Sequence, residues 1–190
     1  MVRFCQGARG KIESVNSPVD HHSPAAPRPT LWQDCGLVRP RPAPDGRSPD
    51  PHLLLAIAIA LPVWAVLGLV FGGQMRVPAG WFAWVSFVLL QPVLEELVFR
   101  GILQGLLLRL TTTGGQTRRL GPVSLANLGV TLGFVALHLP AQPLAWALAV
   151  AVPSLVLGHL RDRTASVWPC ILVHVTYNAG FALTAWLASG

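Results

Sequence analysis

The stretch Leu94-Glu95-Glu96-Leu97-Val98-Phe99-Arg100-Gly101 places two adjacent acids and an arginine inside an apolar run from Trp81 to Leu108. An ionisable side chain at the centre of a membrane helix costs roughly 2.5 to 3.5 kcal/mol. Groups this expensive are retained in such a helix when they serve a function. The stretch therefore predicts a functional site within a membrane-spanning helix.

The helical repeat gives these three charges different surroundings. Glu96 and Arg100 are four residues apart and lie on the same face, in the order that suits an ion pair. Glu95 lies about 100° around the helix and lacks that partner. We therefore predict that Glu96 and Arg100 support the structure and that Glu95 is the reactive carboxylate.

The composition indicates an integral membrane protein. Of the 190 residues, 52% are hydrophobic and only 12% are charged. The formal net charge is +6, but the basic residues lie in the N-terminal segment and in short loops. Because no basic face with interleaved aromatic residues is present, we expect no nucleic-acid partner.

Residues 1 to 51 differ from the rest of the chain. They contain nine of the seventeen prolines and show no apolar periodicity. Such a composition buries too little apolar surface to offset the loss of chain entropy on folding. We therefore expect residues 1–51 to form a disordered, proline-rich cytoplasmic tail and residues 52–190 to form the membrane domain.

Five apolar spans follow this segment and predict an all-α bundle of about five transmembrane helices. The second span is overlong for one straight crossing, so we expect it to tilt or to kink near Pro92. The predicted spans are Leu53 to Phe71, Trp81 to Leu108, Pro122 to Leu139, Pro143 to Leu160 and Val167 to Ala188.

The arginines indicate the orientation of these spans. Eight arginines lie in residues 39–47 and in the loops 109–121 and 161–165, whereas the opposite side carries only Arg76. Basic residues concentrate in cytoplasmic loops. We therefore expect an integral protein of a bacterial inner membrane, with the N-terminus in the cytoplasm and the C-terminus outside.

The later spans contain further polar residues. His138 ends the third span, and His174 and Asn178 share a face of the fifth because they are four residues apart. Counted along each helix, Glu95, His138 and Asn178 fall at similar depth, with His174 one turn away. Side chains from three helices can therefore converge on one cavity.

This set of side chains suits the hydrolysis of an amide bond. A carboxylate and an imidazole can activate water, and a second imidazole and a carboxamide can donate hydrogen bonds to the oxyanion. Alternatively, Glu95, His138 and His174 could hold zinc, although no H-E-x-x-H motif is present.

Three motifs resemble those of the CPBP family of intramembrane proteases (CAAX proteases and bacteriocin-processing enzymes, also called Abi). They occur in the family's order between about Trp81 and Asn178. The motifs are E-E-x-x-x-R at Glu95 to Arg100, F-x-x-x-H at Phe134 to His138, and H-x-x-x-N at His174 to Asn178.

The resemblance implies an all-α membrane fold and a glutamic-type intramembrane endopeptidase that needs no cofactor. In these roles Glu95 and His138 activate water, while His174 and Asn178 stabilise the oxyanion. Glu96, Arg100 and Phe134 would support the site. The expected partners are the lipid bilayer and a protein or peptide substrate that is membrane-associated or surface-sorted.

Two other functions fit the same residues. The chain could be a non-catalytic relative, such as a bacteriocin-immunity or scaffold protein, although every motif position is intact. It could also be a small transporter or proton relay that uses Glu95, Glu96 and His138. Transporters of that kind often contain internal repeats, and no repeat is present here. The chain also has fewer spans than the eukaryotic CAAX-processing members, which argues against prenylated substrates.

Overall fold

The computed structural model describes residues 30–43 and 46–189, which form an almost entirely helical bundle. Two short hairpins are the only strands in this part of the chain. The helices, numbered here in chain order, are α1 Leu31–Asp34, α2 Pro51–Phe71, α3 Gly80–Thr111, α4 Leu125–His138, α5 Leu144–Thr164 and α6 Trp168–Ala188.

Five of these helices correspond to the five predicted spans, which confirms the all-α membrane fold. Helices α2, α3, α5 and α6 are long and apolar enough to cross a bilayer. Helix α4 has 14 residues, or roughly 21 Å at about 1.5 Å per residue, and is shorter than the predicted span. It begins at Leu125 because Ser124 caps its N-terminus by accepting a hydrogen bond from the Asn127 amide.

Helix α3 runs without interruption for 32 residues but is not α-helical throughout. It contains two π-helical segments, Ser86–Leu90 and Leu97–Leu103. The first ends two residues before Pro92, near the predicted kink, and the second follows the paired glutamates directly. Single π-helical turns inside α-helices are often found at functional sites.

Close helix packing holds the bundle together. A methyl group on Gly180 of α6 would overlap the Trp64 indole of α2, and one on Gly158 of α5 would overlap the Asn127 amide of α4. Tyr177 Oη also donates to the Ala56 carbonyl at 2.9 Å. The hydrophobic effect contributes little to the association of helices within lipid. Close van der Waals contacts and interhelical hydrogen bonds of this kind therefore stabilise the bundle.

The two hairpins connect α3 to α4 and were not anticipated from the sequence. Strand β1 Thr112–Thr113 pairs with β2 Gln116–Thr117, and β3 Arg119–Leu120 pairs with β4 Val123–Ser124. These hairpins and the C-terminus of α5 lie at one end of the bundle. We call it the arginine-rich end, because Arg109, Arg119, Arg161 and Arg163 lie there.

Part of the segment expected to be disordered is ordered at this end. Residues 30–43 pack across the ends of the helices, and residues 1–29 lie outside the described part of the chain. The Gly36 carbonyl accepts from the Val167 amide at 2.9 Å, and the Arg41 amide donates to the Thr164 carbonyl at 2.8 Å. The segment is held by its backbone polar groups, so an apolar pattern is not needed to order it.

Candidate active site

The predicted pairing of Glu96 with Arg100 is present in the structure. Arg100 Nε lies 3.3 Å from Glu96 Oε2, and both side chains are fully buried. The two atoms are close enough for an ion pair, but their angle does not make a hydrogen bond, and neither has another such partner among the described residues. The pair therefore joins neighbouring turns of α3 mainly by charge.

Further contacts fix the Arg100 guanidinium between helices. Its Nη2 donates to Ser154 Oγ at 2.8 Å and to the Ser154 carbonyl at 3.0 Å. Its Cζ lies 5.2 Å from the centroid of the Phe134 ring, within the range of a cation–π contact. Arg100 thus links α3 to α4 and α5, in line with a supporting position for Arg100 and Phe134.

His174 lies between the two glutamates. Its Nδ1 is 2.8 Å from Glu96 Oε1, and its Nε2 is 3.8 Å from Glu95 Oε2. The Glu96 carboxylate, paired with Arg100, accepts the hydrogen bond, so Nδ1 carries the proton. Nε2 therefore faces Glu95, as a lone pair when the ring is neutral and as an N–H when it is charged.

Glu95 is the more accessible of the two acids. Its side chain is 33% exposed, whereas that of Glu96 is fully buried. The gap of 3.8 Å to His174 is too long for a direct hydrogen bond. A water molecule about 2.8 Å from both atoms can bridge such a gap.

His138 is oriented by its own helix. Its Nδ1 lies 2.8 Å from the Phe134 carbonyl oxygen, which can only accept, so Nδ1 carries the proton. In the neutral ring Nε2 then has a free lone pair and can act as a base. The Phe134 ring lies between the two imidazoles, with centroids 4.5 Å from His138 and 6.5 Å from His174.

Asn178 contacts the backbone of α3. Its Nδ2 donates to the Phe87 carbonyl at 2.9 Å. In the π-helical turn the Gln91 amide bonds to the Ser86 carbonyl, five residues earlier. In that register the partner of the Phe87 carbonyl would be residue 92, which is a proline without an N–H. Asn178 therefore supplies the missing donor with one of its two amide hydrogens.

The structure brings together the residues that the three motifs predict. His174 lies 3.8 Å from Glu95, and the Phe134 ring contacts both His174 and His138. Asn178 lies one turn from His174 on α6, with its contact directed at α3. Within residues 30–43 and 46–189, no three His, Cys, Asp or Glu side chains form a group that could hold a metal ion.

The polar side chains that surround this site were not predicted from the sequence. Ser154 Oγ lies 2.9 Å from Thr131 Oγ1, which in turn donates to Asn127 Oδ1 at 3.3 Å. Gln104 is fully buried and donates to the Gly158 carbonyl at 2.9 Å. A signal for Gln104 was available, because it continues the four-residue spacing of Glu96 and Arg100 on one face of α3.

The described helices thus form a membrane bundle in which glutamates of α3 and histidines of α4 and α6 lie near one another. The model of the family described as Rce1-like, type II CAAX prenyl endopeptidase, matches residues 77–180. Because this match covers more than half of the chain, the protein belongs to the Rce1-like family, which confirms the relationship that the motifs indicated. No curated protein and no solved structure matches the chain.

Proposed function

We propose that the protein is an intramembrane endopeptidase in which Glu95 activates the water that hydrolyses a peptide bond. The position of Glu95 carries this proposal. It is partly exposed and faces Nε2 of His174, while the adjacent Glu96 is fully buried in contacts with Arg100 and His174. Two neighbouring carboxylates in such different surroundings are suited to different roles.

In the proposed reaction the Glu95 carboxylate takes a proton from water, and the resulting hydroxide attacks the scissile carbonyl carbon. The lone pair on Nε2 of His138 accepts a hydrogen bond from the same water and helps to hold it. Glu95 then passes its proton to the leaving nitrogen as the C–N bond breaks. Water is consumed, and the products are a new carboxyl terminus and a new amino terminus.

Donors on α6 stabilise the oxyanion in this reaction. The Glu96 carboxylate orients the ring of His174 through Nδ1, and when Nε2 carries a proton its N–H can point at the oxyanion. Asn178 can donate its second amide hydrogen. Glu96 then has two tasks, because it pairs with Arg100 and also orients His174.

We infer that the reaction is independent of metal, since the chemistry above needs only side chains and water. Protein dialysed against a strong chelator should keep its peptidase activity and contain well under one zinc per chain. Activity that is lost on chelation and restored by zinc would instead make Glu95, His138 and His174 ligands, which is a common donor set for a catalytic zinc.

We propose a membrane-associated protein as the substrate and a bacterial inner membrane as the location. The arginine-rich end would face the cytoplasm, because eight arginines in residues 39–47, 109–121 and 161–165 belong to that side and Arg76 alone to the other. A topology reporter fused after Gly190 should then report a position outside the cytoplasm. A reporter placed near Gly114 should report a position in the cytoplasm. A cytoplasmic reporter signal after Gly190 would contradict this orientation.

The test of the proposed activity compares membranes that contain the wild-type protein or Glu95→Gln. Mass spectrometry of protein termini should find new termini that depend on Glu95, while both proteins accumulate equally because the change removes a base and little volume. Gln91→Ala is the matched control, since Gln91 is exposed one turn earlier on α3. If no cleavage depends on Glu95, the chain is better described as a non-catalytic membrane protein of the same fold.

A further inference from the structure

Two adjoining cavities open at the arginine-rich end of the bundle, away from the candidate active site. Their volumes are about 190 and 610 Å³, and Arg41, Leu108, Thr112 and Arg161 line both of them. Arg119 and Asp162 also line the smaller cavity, and Arg109 and Asp34 the larger one. They lie between the described N-terminal segment, the end of α3, the first hairpin and the end of α5.

Arg161 is a buried cation in these walls without an ion-pair partner. Its side chain is 3% exposed. Its Nε donates to the Arg100 carbonyl at 3.0 Å and its Nη2 to the Asp34 carbonyl at 2.7 Å. Both acceptors are neutral, and no carboxylate within residues 30–43 and 46–189 lies within ion-pair distance of Arg161. A buried charge of this kind is stabilised when an anion occupies the adjacent space.

The other charged residues in the cavity walls do not neutralise Arg161. Asp34 pairs with Arg109, and Asp162 accepts a hydrogen bond from Gln104. The Arg41 side chain makes no hydrogen bond or ion pair within the described part of the chain. Four arginines against two aspartates leave the lining with a formal charge of +2. The cavities thus present guanidinium groups, which suit the oxygens of a phosphate.

The cavities lie at the depth of the lipid headgroups, so a phospholipid can supply the phosphate. They lie where the spans α3 and α5 end, close to exposed aromatic and aliphatic side chains. Trp32 on α1 is 66% exposed, Leu31 beside it is 76% exposed, and Trp168 at the start of α6 is 51% exposed. Tryptophans with this placement mark the headgroup region of a bilayer. Basic pockets beside membrane helices at that depth bind anionic headgroups.

We propose that these cavities bind a phosphate group, carried by an anionic phospholipid whose acyl chains lie along α3 and α5. This site is separate from the candidate active site, and the proposal does not depend on the proposed peptidase activity. A soluble phosphate would satisfy the same guanidinium groups, so the test distinguishes the two sources.

The test uses the purified full-length protein, stripped of lipid in a neutral detergent. Phosphatidylglycerol, phosphatidylcholine and inorganic phosphate are added separately, and bound lipid and the thermal unfolding midpoint are measured. Arg41→Gln and Arg119→Gln are compared with Arg76→Gln, an exposed arginine at the opposite end. Arg161 is left intact, because its contacts with the Asp34 and Arg100 carbonyls contribute to folding.

We expect phosphatidylglycerol to bind more tightly than phosphatidylcholine and to raise the unfolding midpoint. Arg41→Gln should weaken its binding about fivefold, which corresponds to the loss of one arginine near a headgroup, while Arg76→Gln should not change it. Stabilisation by inorganic phosphate that Arg41→Gln also weakens would identify a soluble phosphate as the ligand. The proposal is overturned if neither anion stabilises the protein, or if both cavity variants bind phosphatidylglycerol as the wild type does.

Discussion

His174 Nδ1 lies 2.8 Å from Glu96 Oε1, while its Nε2 lies 3.8 Å from Glu95 Oε2. One imidazole therefore connects the buried acid to the accessible acid. The spacing within α3 indicates only that Glu96 can reach Arg100, and it does not reveal that Glu96 also holds a residue of α6. This contact fixes the proton on Nδ1 and leaves Nε2 available to the reaction. Substitutions can therefore test the role of each ring nitrogen separately.

We predict that His174→Asn preserves the fold and abolishes cleavage. The Asn amide nitrogen takes the place of Nδ1 and can still donate to Glu96, whereas the position of Nε2 is left empty. Thermal unfolding should therefore stay close to that of the wild type, and turnover should fall by at least 100-fold, as is typical for loss of an oxyanion donor. His174→Ala is the control, because it should lose both stability and turnover. If His174→Asn cleaves the substrate as fast as the wild type does, Nε2 has no role in the reaction.

A second prediction concerns the contact between α4 and α5. Gly158→Ala should lower the stability by about 1 to 3 kcal/mol, the usual cost of overpacking, because the new methyl group would overlap the Asn127 amide. Gly133→Ala on α4 is the matched control, since nothing lies within 4 Å of a methyl group placed there. Unfolding in denaturant measures both. Equal stabilities for the two variants would show that α4 and α5 leave room for a methyl group at Gly158.

Much of the fold could be predicted from hydropathy, because each membrane span carries its own apolar signal. The ordering of residues 30–43 could not be predicted in this way. Gly36 and Asp34 contribute their backbone carbonyls, to the Val167 amide and to Arg161 respectively. Every residue type carries a carbonyl, so no pattern in the sequence distinguishes a segment that uses them. The boundary predicted at residue 51 between the tail and the membrane domain rested on composition alone. The described structure already begins at Thr30.

The candidate site could be predicted to the extent that its residues repeat along a single helix. The spacing of Glu96 and Arg100 predicts their ion pair, and His174 with Asn178 shares a face of α6. Contacts between helices depend on rotation and depth, which the sequence does not specify. Ser154 is therefore not distinguishable from any other serine in a membrane span until α5 is placed beside Arg100.

A third prediction concerns the pH dependence of stability at the start of α2. Burial alone would raise the pKa of Asp50, but hydrogen bonds from Arg163 and from the His52 amide outweigh it and lower the pKa below its ordinary value of 3.8. The folded state thus favours the ionised form, so the stabilisation is present above about pH 4 and is lost as the pH falls through the folded pKa.

Asp50→Asn tests this pH dependence, because Asn can still cap α2 but carries no charge for Arg163. We expect Asp50→Asn to be less stable than the wild type by about 1 kcal/mol at pH 7, a typical value for a hydrogen-bonded contact. The difference should shrink as the pH is lowered from 5 to 3. Thermal unfolding across this range measures it, and a constant difference would show that the charge of Asp50 is not responsible.

The last prediction separates two tasks of Asn178, which donates one amide hydrogen to the Phe87 carbonyl and has the second available for an oxyanion. Pro92→Ala should restore an N–H at the position that the π-helical register directs toward this carbonyl. Asn178→Ala should then cost less stability in the Pro92→Ala background than in the wild type. We expect a coupling of about 1 kcal/mol in a double-mutant cycle, the usual net contribution of one hydrogen bond.

The same cycle with Gln91→Ala in place of Pro92→Ala is the control, because alanine keeps the amide that bonds to the Ser86 carbonyl. This control should show no coupling. Cleavage should not recover in the Pro92→Ala and Asn178→Ala double variant, because the restored backbone N–H lies within α3 and cannot replace the donor to the oxyanion. Full recovery of turnover would show that Asn178 acts only by holding α3, so that the oxyanion would depend on His174 alone.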